Sequence, residues 1–105
     1  MTEWIEWSEK ARDHLRTRSI RYADAVDIDP AWTVEVINDP DRLVEEPDSR
    51  SAHANSARIV GYSPTARMVI TVVALRGADG VLRGASAWKT RGAPRRQYWK
   101  GAGDE

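Results

Sequence analysis

Val69, Ile70, Thr71, Val72 and Val73 form an unbroken run of β-branched residues, and no other feature of the chain limits its fold as much. Side chains branched at Cβ are stiff in χ1 and fit a pleated, buried surface better than a helix. The run lies inside RIVGYSPTARMVITVVALRGADGVLRGASAW, Arg58 to Trp88, between two sets of turn formers, Ser63-Pro64-Thr65-Ala66 and Gly77-Ala78-Asp79-Gly80. Such residues reverse a chain over a short distance. Three neighbouring antiparallel strands are therefore expected over 58–62, 67–75 and 81–88, with the β-branched run in the centre. In the last of them, alternation puts Arg83, Ala85 and Ala87 on one face and Leu82, Gly84, Ser86 and Trp88 on the other.

Around this centre the pattern changes period. Glu3 to Trp7 alternates acidic and apolar residues as a short N-terminal strand would. Ser8 can cap a charged helix running to about Arg18, with Ala11, Leu15 and the edge residue His14 as its apolar stripe. A second helical stretch is expected from Tyr22 through Ala25 and Val26, interrupted by Asp27 to Pro30. Asp29 before Pro30 is the signature of a new helix start, which would carry Trp32, Val36 and Ile37 inward until Asn38-Asp39-Pro40 ends it. Leu43 and Val44 fit a short strand, the segment from Glu46 to Ser56 reads as a mobile loop containing His53, and Pro94 to Lys100 as a short basic helix. Residues 101–105 are expected to fray. The 105 residues suffice for one core and not for two. The expectation is a single α+β domain: an N-terminal strand and two or three short helices packed on a mainly antiparallel sheet of four to five strands, with a short C-terminal helix.

The net charge of zero conceals an uneven distribution. From Arg50 to Lys100 there are ten Lys or Arg against one acid, Asp79, whereas residues 1–49 carry thirteen acids and six bases. Clustered bases with so few acids among them point to phosphate contact; the plainer alternative is a set of solvated strand faces. With no cysteine and two isolated histidines, His14 and His53, there is no disulfide framework and no zinc-site motif. No apolar run approaches the roughly 20 residues needed to cross a bilayer, and the start MTEWIEW lacks the regions of a signal peptide, so a cytoplasmic protein without membrane contact is expected.

Neither a glycine-rich phosphate loop nor a nucleophile–base spacing is present. Arginines, a lysine, a tyrosine and tryptophans on a sheet still allow one cofactor-free and metal-free reaction, cleavage of RNA by its own 2′-hydroxyl. Cations stabilise the phosphorane, arginine by pairing with two phosphate oxygens, while aromatic rings stack an unpaired base. A purely binding surface would use the same residues.

Longer stretches carry a resemblance. LRTRSIRYADAV at Leu15 to Val26, GYS at Gly61 to Ser63, ARMVITVV at Ala66 to Val73, RGASAW at Arg83 to Trp88, and Arg95-Arg96 before Tyr98 together resemble the BrnT-type toxins. These are the ribonuclease halves of type II toxin–antitoxin pairs, with a RelE-like fold. The resemblance spans nearly the whole chain. It implies a RelE-like domain and a metal-independent endoribonuclease of mRNA, with a cognate antitoxin as partner and operator DNA contacted only through that antitoxin. It also implies phosphate and transition-state roles for Arg67 and Arg83, base stacking or proton transfer for Tyr98, and RNA contacts for Lys89, Arg91, Arg95 and Arg96. The chain departs from the family pattern at Arg18, Trp88 and Pro94, where the family carries His, Arg and Glu. These departures define the alternative, a catalytically degenerate module that binds an antitoxin and takes part in operator autoregulation.

Overall fold

A computed structural model describes residues 2–102. The elements are β1 (Ile5–Glu6), α1 (Glu9–Arg16), α2 (Arg18–Arg21), α3 (Pro30–Ile37), β2 (Leu43–Glu45), β3 (Ser56–Ser63), β4 (Met68–Arg76), β5 (Leu82–Lys89) and α4 (Ala93–Gly101). The protein is α+β, with five strands ordered β1-β5-β4-β3-β2. All neighbouring pairs are antiparallel except β1 with β5, which run parallel. The β-branched run lies in β4, the middle strand, as its composition requires. Among the described residues no helix is long and apolar enough to cross a membrane.

The two readable helix starts form as their chemistry dictates. Ser8 Oγ accepts a hydrogen bond from Ala11 N at 3.1 Å, and Asp29 Oδ1 accepts one from Ala31 N at 3.0 Å, each satisfying an amide that the first helical turn leaves unpaired. Leu15, Val36 and Ile37 are buried on one face of the sheet against Ile59, Ile70, Val72, Leu82 and Ala87, with Trp32 packed at the margin. Trp7 joins this core, and its indole Nε1 donates to Thr33 Oγ1 at 2.9 Å. Trp4 points out and is exposed. Asn38 closes the end of α3 onto the N-terminal segment, accepting from Glu3 N at 2.7 Å and donating to Glu3 O at 2.9 Å.

Several expectations need correction. Helical structure from Tyr22 to Val26 is absent; the short helix lies earlier, at Arg18–Arg21. Asp27 accepts from Ser19 N at 2.8 Å, and Asp24 takes a left-handed φ of 61°, so 22–26 turns the chain back instead of continuing a helix. The simple alternation along β5 also fails. Val73 opposes Ser86 and Ala74 opposes Gly84, leaving Ala85 as an extra residue. This bulge reverses the alternation, so Leu82 and Ala87 both enter the core while Trp88 faces the other way, beside Thr71. Arg67 does not open β4. It closes the preceding turn with φ 57°, its N–H donating to Ser63 O at 2.7 Å. The segment expected to be a free loop is stitched down: Asp48 is buried and bound to Ser56 and Arg58, and Glu46 pairs with Arg76 at 2.8 Å.

Candidate nucleic-acid interface

The face of the sheet opposite α1 and α3 is covered at one end only. There Tyr98 of α4 packs on Val60 and Val69, with Leu43, Tyr62, Trp99 and Ala102 around them. Asp39, just beyond α3, fastens this arrangement from below: its Oδ2 accepts from the Tyr98 hydroxyl and, at 2.8 Å, from Tyr62 N. The Trp99 ring stands edge-on to Tyr62 at 5.5 Å and to Tyr98 at 5.1 Å between centroids.

Beside this anchor, the β3–β4 turn, the end of β5 and the start of α4 enclose a cleft of about 340 Å³. Its walls carry Arg67, Lys89, Arg91 and Arg95 together with the Tyr62 and Trp99 rings, and no acidic residue. Among the described residues none of these four cations forms an ion pair. Each is delivered by a different local device. Glu35 of α3 holds the turn that presents Arg67 by accepting from Ser63 Oγ at 2.6 Å, Thr65 Oγ1 at 2.7 Å and Thr65 N at 3.2 Å. Burial alone raises the Glu35 carboxyl pKa, but these hydrogen bonds outweigh it and hold the group below the ordinary carboxylate range. Lys89 ends β5, and the buried Thr71–Thr90 hydroxyl pair at 2.7 Å fixes the backbone that leads to Arg91. Arg91 Nη2 donates to Asp24 O at 2.9 Å, and Gly92, with φ 67°, turns the chain into α4 so that Arg95 falls on its first turn.

Two further hollows adjoin the cleft. One, of about 590 Å³, runs along the open sheet face past Arg50, Arg58, Val60, Thr71, Trp88 and Gln97. The other, of about 510 Å³, lies between Trp88 and the 22–26 turn and is reached by Arg18 and Tyr22. Arg91 lines all three. Arg18, Trp88 and Pro94 therefore all border the cationic cleft's neighbours.

Of the residues singled out in the sequence, Arg67, Lys89, Arg91 and Arg95 come together, whereas Arg96 is exposed on α4 outside the cleft wall. Arg83 is not part of this group. It sits at the opposite end of β5, where it pairs with Asp79 at 2.9 Å and Glu6 at 3.5 Å. Leu75, its partner on β4, is about 23 Å along the extended strand from Met68, the residue after Arg67. The Asp79 hydrogen bonds raise the Arg83 pKa, and Arg83 in turn leads the causes that lower the Asp79 carboxyl to about 2. Tyr98 presents no ring to a ligand, being 2% exposed. Burial first, then the hydrogen bond and charge of Asp39, push its hydroxyl well above the ordinary tyrosine value, so its proton stays committed to Asp39. His14 and His53 are exposed and border none of the three hollows.

Arg58 and Tyr62 carried no site signal along the chain, although alternation from Val60 puts both on the open face once the β3 register is known. Among the described residues no cluster of three or more His, Asp or Glu is placed to hold a metal ion. The arrangement suits a phosphodiester chain: guanidinium and ammonium groups to meet phosphates, and aromatic edges to meet bases. No protein-family model, no curated protein and no solved structure matches this chain.

Proposed function

We propose that the chain binds single-stranded RNA along the cleft of Arg67, Lys89, Arg91 and Arg95, and acts as the toxin of a type II toxin–antitoxin pair by cutting mRNA. The observation that carries the binding is the gathering of four cations without a carboxylate partner beside two half-buried aromatic rings. In the proposed cleavage the RNA 2′-oxygen attacks phosphorus and the P–O5′ bond breaks. A 2′,3′-cyclic phosphate and a 5′-hydroxyl form, and the proton lost from the 2′-hydroxyl is balanced by one gained at the 5′-oxygen. Arg67 and Arg91 stabilise the charge on the phosphorane. The resemblance in the stretches 15–26, 61–63, 66–73 and 83–88 supports the toxin assignment.

A second reading is binding without cleavage, as a module engaged by an antitoxin. Two observations favour it: the Tyr98 hydroxyl is held by Asp39, and Arg83 is held by Asp79 and Glu6, so neither is free for the reaction. One experiment separates the readings. The purified chain is incubated with labelled single-stranded RNA in EDTA, and binding and product ends are scored together. Shortened RNA with cyclic phosphate ends supports the nuclease, intact RNA supports the module, and no retention at low salt defeats RNA binding by the cleft.

A further inference from the structure

We propose that the groove along the open sheet face is a base-binding subsite, with Trp88 as the stacking surface for an unpaired RNA base whose flanking phosphates lie on Arg91 and Arg67. This deepens the RNA reading and rests on it. The groove, at about 590 Å³, is of the size that holds small ligands, and it opens beside the phosphate cleft through the shared residue Arg91. Trp88 stands over β4 next to Thr71, turned to this face by the bulge at Ala85. The Arg58 guanidinium lies 5.3 Å from the centre of its ring. Arg58 is itself fixed, because its Nε donates at 3.1 Å to Asp48 Oδ2, whose side chain is 1% exposed. An indole and a guanidinium plane held together in this way form a ready platform for a base, since both stack on π faces of any sequence. Val60 supplies an apolar floor, and Gln97 on α4 borders the groove with an amide able to pair with a base edge. Glu45 is the acid on the rim, and its Oε1 is turned to the neighbouring loop, accepting from Ser49 N at 3.1 Å and Ser49 Oγ at 3.2 Å. Arg58 is thus a positioning residue and Trp88 the contact.

The test compares a labelled single-stranded RNA oligomer with an abasic oligomer bearing the same number of phosphates, each titrated against the full chain by fluorescence anisotropy. The RNA is expected to bind roughly 10-fold more tightly than the abasic chain, the gap reporting base stacking. Trp88→Ala is expected to remove most of the gap between the RNA and the abasic chain while leaving abasic binding unchanged, and Trp88→Tyr to restore most of it. Equal binding of the two oligomers by the native chain overturns the subsite but leaves the phosphate cleft standing, as does a gap undiminished in Trp88→Ala. Failure of both oligomers to bind overturns the RNA reading itself, and the subsite with it. A loss of abasic binding in Trp88→Ala identifies the residue as structural and also overturns the proposal.

Discussion

Replacing Arg91 by Ala should change the salt dependence of RNA binding by a calculable amount, whereas replacing Arg83 should not. Each cation that meets a phosphate of a single strand contributes about −0.7 to the slope of log affinity against log salt, through counterion release. The four cations of the cleft then give a slope of about −2.8, and Arg91→Ala leaves about −2.1. Between 50 mM and 200 mM KCl the native affinity is expected to fall roughly 50-fold and that of the variant roughly 18-fold, a difference that anisotropy titrations resolve. Arg83→Ala is the control, because Asp79 and Glu6 already balance its charge at the far end of β5. Arg67→Gly adds a variant that separates binding from folding. Arg67 holds a left-handed φ of 57°, which glycine adopts without steric cost, so the strain relieved offsets the added chain entropy and stability stays within about 0.5 kcal/mol while the slope falls by about 0.7. An Arg83→Ala slope as shallow as that of Arg91→Ala, or an Arg91→Ala slope equal to the native one, refutes the assignment of the cleft.

Three other outcomes follow from the packing. Tyr98→Phe removes the hydrogen bond to the Asp39 carboxylate and is expected to cost about 2 kcal/mol in urea denaturation with RNA affinity unchanged; abolished cleavage at unchanged stability would return Tyr98 to the reaction. Gly61→Ala places a Cβ 2.5 Å from the Val36 carbonyl oxygen, so α3 must move off β3, and a loss of about 1–3 kcal/mol is expected from the urea midpoint. Burial raises the Asp48 carboxyl, but the hydrogen bonds from Arg50 N and Arg58 prevail and hold it below the usual range. A carboxyl depressed in the folded state stabilises above its unfolded pKa of about 3.9, and that contribution is lost as pH falls further. Asp48→Asn should therefore be less stable than the native chain at pH 7, with the gap narrowing below about pH 4 in pH-resolved thermal unfolding.

Much of the fold was readable because its causes are local. The β-branched run in β4, the Ser8 and Asp29 caps, and the Gly77–Gly80 turn depend on residues within a few positions of one another. What was misread depends on distant partners. The bulge at Ala85 arises in pairing with Val73 and Ala74, beside Gly84, whose missing side chain makes room for the Trp7 ring. The segment after Glu45 looked aperiodic, yet Asp48 and Glu46 tie it to Arg58 and Arg76 on the sheet. Within the candidate site, Lys89, Arg91 and Arg95 were visible as a basic tract near the C-terminal helix. Arg83 looked equivalent to them because its pairing with Asp79 across the β4–β5 turn, and with Glu6 across the β1–β5 contact, depends on strand geometry that spacing alone does not show.

The sequence by itself determined that one half of this chain is rich in acids and the other in bases, with a β-branched strand at the centre of the basic half. Only the tertiary structure decided which bases keep their charge unpaired. Folding brings Glu3, Glu6, Glu46 and Asp48 from the acidic half against Arg76, Arg83 and Arg58 of the basic half. Because Coulomb attraction acts over a few ångströms in space and takes no account of separation along the chain, those pairs cancel locally. Arg67, Lys89, Arg91 and Arg95 are gathered at the other end of the sheet, where Glu35 and Asp39 are taken up by hydroxyl and amide donors and pair with none of them, and that is where the cationic cleft forms.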